Sequence, residues 1–227
     1  MMEDILEKSK FENIFGINLA TPQNVIFNSM LNLNYATFRV SRGAGKDLLL
    51  AMYAMLYAAS EPESRVLITT PTIRQAKMTF NSLNVVRKYF QDATFEPHIS
   101  SDVCFLQFKN ESRIDARTEY DTDSDVVLVN EADSMPEQQL LKLMVGVENG
   151  DLKKAFLMST GYYDYNHMNK IEAHECFSPH AFGYKSFPSG FYDQANIDEA
   201  KKLLSVDEFD MEYNAKVVKI SEDDNAS

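Results

Sequence analysis

Short apolar runs and longer amphipathic stretches alternate along this chain. Tyr35–Val40, Arg65–Thr70, Val126–Val129 and Lys154–Met158 are compact and rich in β-branched or aromatic residues. Runs of that length bounded by polar or turn residues are the pattern of strands buried on both faces. Helical stretches lie between them. Leu48–Tyr57 is rich in helix formers. Thr72-Ile-Arg-Gln75 has capping-box spacing and opens a helix to about Phe90. Met135–Met144 reads as a third helix, and Ser205-Val-Asp-Glu208 caps a short one through Tyr213. Alternation of this kind predicts an α/β fold with a mainly parallel central sheet flanked by helices. Val103–Phe108 and Ser112–Arg117, joined by Lys109-Asn-Glu111, predict an inserted β-hairpin. Upstream, Met2–Phe15 reads as a helix with Ile5, Phe11, Ile14 and Phe15 as candidate buried positions. A second helix starts with Thr21 as N-cap and Pro22 at the first helical position, and runs through Val25, Ile26, Met30 and Leu31. Tyr162–Ser189 is aromatic and irregular. His167, His174 and His180 within it have no metal-ligand spacing and read as loop and surface histidines.

Composition narrows the function classes. The 227 residues carry a net charge of −12. A domain that holds DNA tightly by itself is usually basic, so any contact with nucleic acid is expected to be local, transient or shared with other subunits. No apolar run approaches the ~20 residues of a membrane span. The N-terminus has the character of neither a secretory signal nor a transit peptide. Cys104 and Cys176 read as ordinary thiols in a reducing compartment. The acidic residues 221–227 are expected to form a disordered tail.

The chemistry gathers at the end of the first apolar run. Phe38-Arg-Val-Ser-Arg-Gly-Ala-Gly-Lys-Asp47 places a glycine loop and a lysine between a strand and a helix, the layout of a phosphate-binding loop. Ser41, Arg42, Gly43, Ala44 and Gly45 would turn backbone N–H groups toward one point, and the following helix aims its positive end there. Lys46 adds a full charge for the outer phosphates. The usual pattern has glycine where Val40 stands and Ser or Thr where Asp47 stands. A strand-to-helix turn with incidental glycines is the alternative on this stretch alone.

Downstream, Asn130 and Glu131 follow the apolar run Val126–Val129 directly. Parallel α/β sheets place their ligands at such strand ends. There Glu131 could orient and activate a water molecule. Ser159-Thr160-Gly161 closes the next strand, either as a γ-phosphate sensor or as a simple turn. Gln23 is either an adenine-reading amide or an ordinary first-turn residue.

Taken in order, Thr21-Pro-Gln23, Ser41-Arg-Gly-Ala-Gly-Lys46, Val126-Val-Leu-Val-Asn-Glu131 and Ser159-Thr-Gly161 resemble the N-terminal ATPase domain of a viral, bacteriophage-type large terminase. The segment Arg65–Ala76 and the ending Asp207–Tyr213 are similar to that family as well. The resemblance implies an ASCE-type P-loop ATPase whose core spans 35–220, after a helical lead-in, 1–34, that carries the adenine-side Gln23. It implies ATP and Mg²⁺ as ligands, Lys46 on the phosphates, Arg42 acting in cis on the γ-phosphate, Glu131 as the catalytic carboxylate, and Ser159, Thr160 and Gly161 as a coupling motif. Its implied partners are double-stranded DNA, a portal protein and a small terminase subunit, in a working ring of copies within the host-cell cytoplasm. No segment of the chain matches the family's nuclease site. Arg74, Arg113 and Arg117 are unranked candidates for an arginine acting across subunits.

Two positions depart from the family pattern. Asp47 replaces the magnesium-binding hydroxyl, and Asn130 replaces the aspartate on the opposite side of the metal. Read together they are an exchange, because one carboxylate has left position 130 and one has appeared at 47. The alternative is decay to a weak or inactive ATPase. Two further functions stay open: a helicase-like nucleic-acid-remodelling ATPase, and a non-hydrolysing nucleotide-binding assembly module.

Overall fold

The computed structural model describes residues 16–100, 104–121 and 123–219. The predicted first helix and the acidic tail lie outside them. In chain order the elements are α1 (Thr21–Asn32), β1 (Tyr35–Val40), α2 (Lys46–Ser60), β2 (Arg65–Thr69), α3 (Ile73–Arg87), β3 (His98–Ile99), β4 (Cys104–Gln107), β5 (Arg113–Arg117) and β6 (Val126–Asn130). They continue with α4 (Glu137–Glu148), β7 (Lys154–Ser159), β8 (Tyr162–Tyr163), α5 (Met168–Glu172), β9 (Ser178–Phe182), α6 (Gln194–Leu203), α7 (Val206–Glu212) and β10 (Val217–Val218).

Eight strands form one sheet in the order β3-β4-β5-β2-β6-β7-β1-β9. From β5 to β9 every neighbouring pair is parallel. Strand β7 stands between β1 and β6, so the glycine loop and Glu131 emerge at the same sheet edge with one strand between them. The period-2 alternation of a strand sorts side chains onto two faces. On β6, Val126 and Leu128 join the core under α1, α2 and α3, while Val127 and Val129 join the core under α4 and α5. On β7, Phe156 and Met158 face the first core, and Ala155 and Leu157 the second. Helix α2 runs through the larger core, with Leu49 to Met55 all buried, which anchors the loop that precedes it.

The hairpin forms as predicted, with β4 antiparallel to β5. It is not an appendage, however, because β5 also pairs in parallel with β2 and is part of the main sheet. The irregular reading of 162–189 is corrected. That stretch contains β8, α5 and the edge strand β9. Ser-Pro-His-Ala-Phe has no alternating apolar pattern, and Pro179 is tolerated because an edge strand leaves one side unpaired. His180 is correspondingly no loop residue. It lies on β9, with its ring stacked at 5.2 Å on Phe38, and burial lowers its pKa. His167 and His174 do lie at the surface, beside Glu137 and Glu148.

Other local expectations shift by small amounts. The N-cap of α1 is Ala20 rather than Thr21, and Val25 is 43% exposed while Ile26, Met30 and Leu31 are buried. Helix α3 ends at Arg87, with Thr72 accepting from the Gln75 N–H as its cap. The capping box at Ser205 and Glu208 is present. Arg113 and Arg117 are paired locally, with Asp115 and Asp121. Both cysteines are free thiols, and no helix among the described residues is long and apolar enough to cross a membrane.

Candidate active site

The loop between β1 and α2 owes its shape to two glycines. Gly43 and Gly45 take φ of +78° and +82°, the left-handed region that costs glycine nothing. Gly45 is also the N-cap of α2, so Lys46 and Asp47 are the first two residues of that helix, at its positive end. The loop is held on three sides. Ser41 N–H donates to the Phe182 carbonyl at 3.0 Å, and Arg42 N–H donates to the Glu212 carbonyl at 2.7 Å. The Tyr192 hydroxyl pairs with Ser41 Oγ at 2.6 Å, and its ring lies against Gly43.

Gln23 braces the loop from behind. It is buried, its Oε1 accepts from Ala20 N–H at 2.8 Å, and its Nε2 donates to the Ala44 carbonyl at 2.9 Å. A Cβ on Gly45 would stand 3.1 Å from that Nε2. In this arrangement the amide serves the helix start and the loop backbone, rather than standing free for a base edge.

Lys46 is buried, with Nζ 3.9 Å from Glu131 Oε1. Glu131 holds a left-handed backbone, φ +55°, immediately after β6. A non-glycine residue in that region stores strain, a property that clusters at functional positions. Burial raises the Glu131 pKa above the ordinary carboxylate range. Lys46 opposes the rise, and Asp133, Asp47 and Glu212 add to it. Burial likewise raises Asp133. Arg42 is exposed, with its guanidinium 3.6 Å from Glu212 Oε2.

The exchanged pair is in direct contact. Asn130 Nδ2 donates to Asp47 Oδ1 at 2.8 Å. The amide orientation follows from chemistry, since an ionised carboxylate can only accept. Asn130 therefore turns its NH₂ to Asp47, and its Oδ1 is buried without a partner. Of the two predicted metal residues, Asp47 is the one placed to offer an oxygen at the helix start. Thr79, from α3, completes the contact by donating to the same Asp47 Oδ1 at 2.5 Å.

The donor set fits Mg²⁺. That ion is typically held by one or two carboxylates together with substrate phosphates and water. Among the described residues no three His, Cys, Asp or Glu side chains converge as a self-sufficient cage. Asp47, Glu131, Asp133 and Glu212 outnumber Lys46 and Arg42 here, so a polyphosphate would meet net negative charge unless a cation accompanied it.

Ser159 ends β7, the strand between β1 and β6, and Thr160 and Gly161 follow it directly. Ser159 Oγ is buried and unpartnered. Gly161 N–H donates to the Met211 carbonyl at 2.7 Å, and Tyr162 N–H donates to Lys216. Strand β8 then pairs with β10. Neighbouring carbonyls of one segment, Met211 and Glu212, thus receive the N–H of Gly161 and the N–H of Arg42. Asp133 lay only two residues beyond Glu131 in the sequence and Glu212 lay within the family-like ending Asp207–Tyr213, whereas Thr79 and Tyr192 carried no sequence signal. A cavity of about 750 Å³ is lined by Tyr120, Leu141, Val145 and neighbours on the face of α4. It includes none of these groups and lacks their convergence of charge, so it is not the chemical centre.

Glycine loop, buried lysine and strand-end carboxylate on a parallel sheet have the layout of a P-loop fold. The chain belongs to the family described as RNA cytidine acetyltransferase NAT10/TcmA, helicase domain, whose model matches residues 38–167, more than half of its length. Its fold is that of phage large-terminase ATPase domains. The Thermus phage P74-26 large terminase ATPase domain superposes with a TM-score of 0.68 at 18% identity, covering 93% of this chain and 98% of that one. The large terminase of another thermophilic bacteriophage, in complex with ADP, gives 0.66 at 10% identity. That superposition covers 86% of this chain but 53% of that one. The UvsW helicase of bacteriophage T4 gives 0.52 at 16% identity, covering 78% and 67%. No curated protein matches the chain by sequence.

Proposed function

We propose that this chain is the ATPase motor domain of a DNA-packaging terminase, hydrolysing ATP to move double-stranded DNA into a procapsid. The observation that carries the hydrolytic reading is the pairing of Lys46, at the start of α2, with Glu131, just after β6, at 3.9 Å. Glu131 would take a proton from a water attacking the γ-phosphorus. The bond to the β,γ-bridging oxygen breaks, and ADP and phosphate leave. Lys46 would stabilise the charge that builds on the phosphoryl oxygens, with the loop N–H groups other than those of Ser41, Arg42 and Ala44. Those three donate to the carbonyls of Phe182, Glu212 and Ser41 rather than converging with the rest as expected. Arg42 would join them on exchanging Glu212 for phosphate. Magnesium, held by Asp47 and the phosphates, would supply neutralising charge. Ser159, Thr160 and Gly161 would pass the loss of the γ-phosphate to the C-terminal segment.

The terminase reading draws support from the extent of the likeness, which covers 93% of this chain and 98% of the terminase ATPase domain. The family match to a helicase domain favours a second reading, a nucleic-acid-remodelling ATPase. Steady-state phosphate release separates them when measured with and without double-stranded DNA, portal and small terminase subunit, and with single-stranded DNA or RNA. Stimulation by duplex plus portal is expected. Stimulation by single strands alone would transfer the assignment to remodelling, and nucleotide binding without turnover under every condition would leave an assembly module. The remaining proposals follow the terminase reading: a core from 35 to 220, a ring of copies when working, and action in the host-cell cytoplasm.

The charge of the site makes nucleotide binding depend on metal. Removing Mg²⁺ leaves Asp47 facing the triphosphate, a repulsion of up to about 4 kcal/mol at close range and intermediate dielectric. Equilibrium binding of ATPγS is therefore expected to weaken sharply in EDTA, and Asp47→Asn should shrink the difference. Equal affinity with and without Mg²⁺ would refute the functional exchange.

A further inference from the structure

Thr79 lies outside every motif noted above, in the middle of α3, and is fully buried. Threonine is a poor choice for a helix interior, where its hydroxyl usually bonds back to the helix's own carbonyls. Here the hydroxyl leaves the helix. It donates to Asp47 Oδ1 at 2.5 Å and accepts from Asn130 Nδ2 at 3.1 Å. Asn130 Nδ2 spends its second hydrogen on the same Asp47 oxygen, at 2.8 Å. The three side chains come from α3, α2 and β6 and form a closed ring of donors and acceptors. One oxygen of Asp47 takes two donors, and the other takes none from this ring.

The exchange at positions 47 and 130 is therefore a three-residue rearrangement. A phosphate loop of the usual pattern supplies a hydroxyl from the first turn of its helix. In this chain the first turn supplies a carboxylate, and the hydroxyl comes from a neighbouring helix. We propose that Thr79 is a positioning residue for the metal site, fixing the Asp47 carboxylate so that its second oxygen is presented to the Mg²⁺ that accompanies a nucleoside triphosphate. The proposal rests on the nucleotide-binding reading above. It gives Thr79 no contact with substrate. Its effect runs through the orientation of Asp47, which without Thr79 keeps only the Asn130 donor and can turn about its side-chain torsions.

The test is ATPγS affinity measured calorimetrically in Mg²⁺ and in EDTA, for the wild type and for Thr79→Val, Thr79→Ser and Thr79→Cys. Loss of a hydrogen bond to a charged group corresponds to roughly a ten-fold effect. Thr79→Val is expected to reduce the Mg²⁺-dependent gain in affinity by about that factor, with the metal-free affinity unchanged. Thr79→Ser should restore the gain. Thr79→Cys, similar in size but a weak donor, should fall between them and carries the test if the valine variant does not fold. A wild-type Mg²⁺ gain in folded Thr79→Val or Thr79→Cys would overturn the proposal. So would an equal loss of affinity with and without metal, the mark of a purely structural role. If the wild type binds no ATPγS under either condition, the nucleotide reading itself falls, an outcome distinct from the other two.

Discussion

Glu131→Gln is expected to abolish phosphate release while nucleotide binding persists. Glutamine keeps the size and the hydrogen-bonding ends of the side chain but cannot take a proton from water. A positioned general base contributes typically ~10²–10⁴-fold, so turnover should fall by at least two orders of magnitude. The pH profile offers a second check with a defined sign. The base works when deprotonated, and burial raises its pKa in the folded protein. The acid limb of turnover should therefore lie above the range of an exposed glutamate, and activity should fall as pH drops through it. Stability runs the other way. A carboxyl whose folded pKa exceeds its unfolded value binds its proton more tightly in the folded state. Stability is lost as pH rises from the unfolded pKa through the folded one. At neutral pH the glutamine variant should melt at or above the wild-type temperature, having shed a half-buried charge whose proton the folded state favours. Turnover that survived in Glu131→Gln would remove Glu131 from the chemistry, and a variant that lost ATPγS binding as well would place it in binding instead.

Gly161→Ala should cost both stability and coupling. An alanine Cβ at this position would lie 2.1 Å from the Lys216 carbonyl oxygen, 2.7 Å from Met211 Cα and 2.8 Å from Lys216 N. All three are backbone atoms, so no side chain can turn aside to admit it. The segment 211–216 must retreat, taking with it the pairing of β8 with β10 and the carbonyl that receives the Arg42 N–H. Overpacking typically costs ~1–3 kcal/mol, and a chain of this size loses ~2–4 °C in Tm per kcal/mol. Hydrogen exchange would show the displacement directly, as faster exchange of the Gly161, Tyr162 and Arg42 amides. If the C-terminal segment carries the signal of hydrolysis, residual turnover in this variant should lose its response to DNA and portal. A melting temperature and exchange pattern equal to wild type would show that the contact is not maintained in solution.

The residues of the site were legible to different degrees. Glu131 could be found in the sequence because a carboxylate directly after a four-residue apolar run must lie at a buried strand's end. The glycine loop was legible for a similar reason, since strand, loop and helix are consecutive in the chain and their chemistry is local. Strand β9 was not legible. An edge strand has one pairing side and a partly exposed face, so its apolar pattern is weak, and Pro179 argued against it. Gln23 was readable as a special residue. Its bonds to Ala20 and Ala44, however, depend on how α1 packs behind the loop.

The substitutions at 47 and 130 show where each kind of information ends. From the sequence they could be recognised as a reciprocal pair, because composition at two motif positions is visible without coordinates. That the two side chains touch, that Asn130 offers its NH₂ rather than its oxygen, and that Thr79 supplies the hydroxyl required the packing of α3 against α2 and β6. The sequence by itself determined the α/β order, the loop, the strand-end carboxylate and the acidic balance, since all of these follow from local propensity, periodicity and charge. Only the tertiary structure decided the partners of the site: Tyr192 and Glu212 on the loop, Met211 and Lys216 on Gly161, and Thr79 on Asp47. These pairs are separated by tens to more than a hundred residues, and no local pattern records which distant side chains a packed core will bring together.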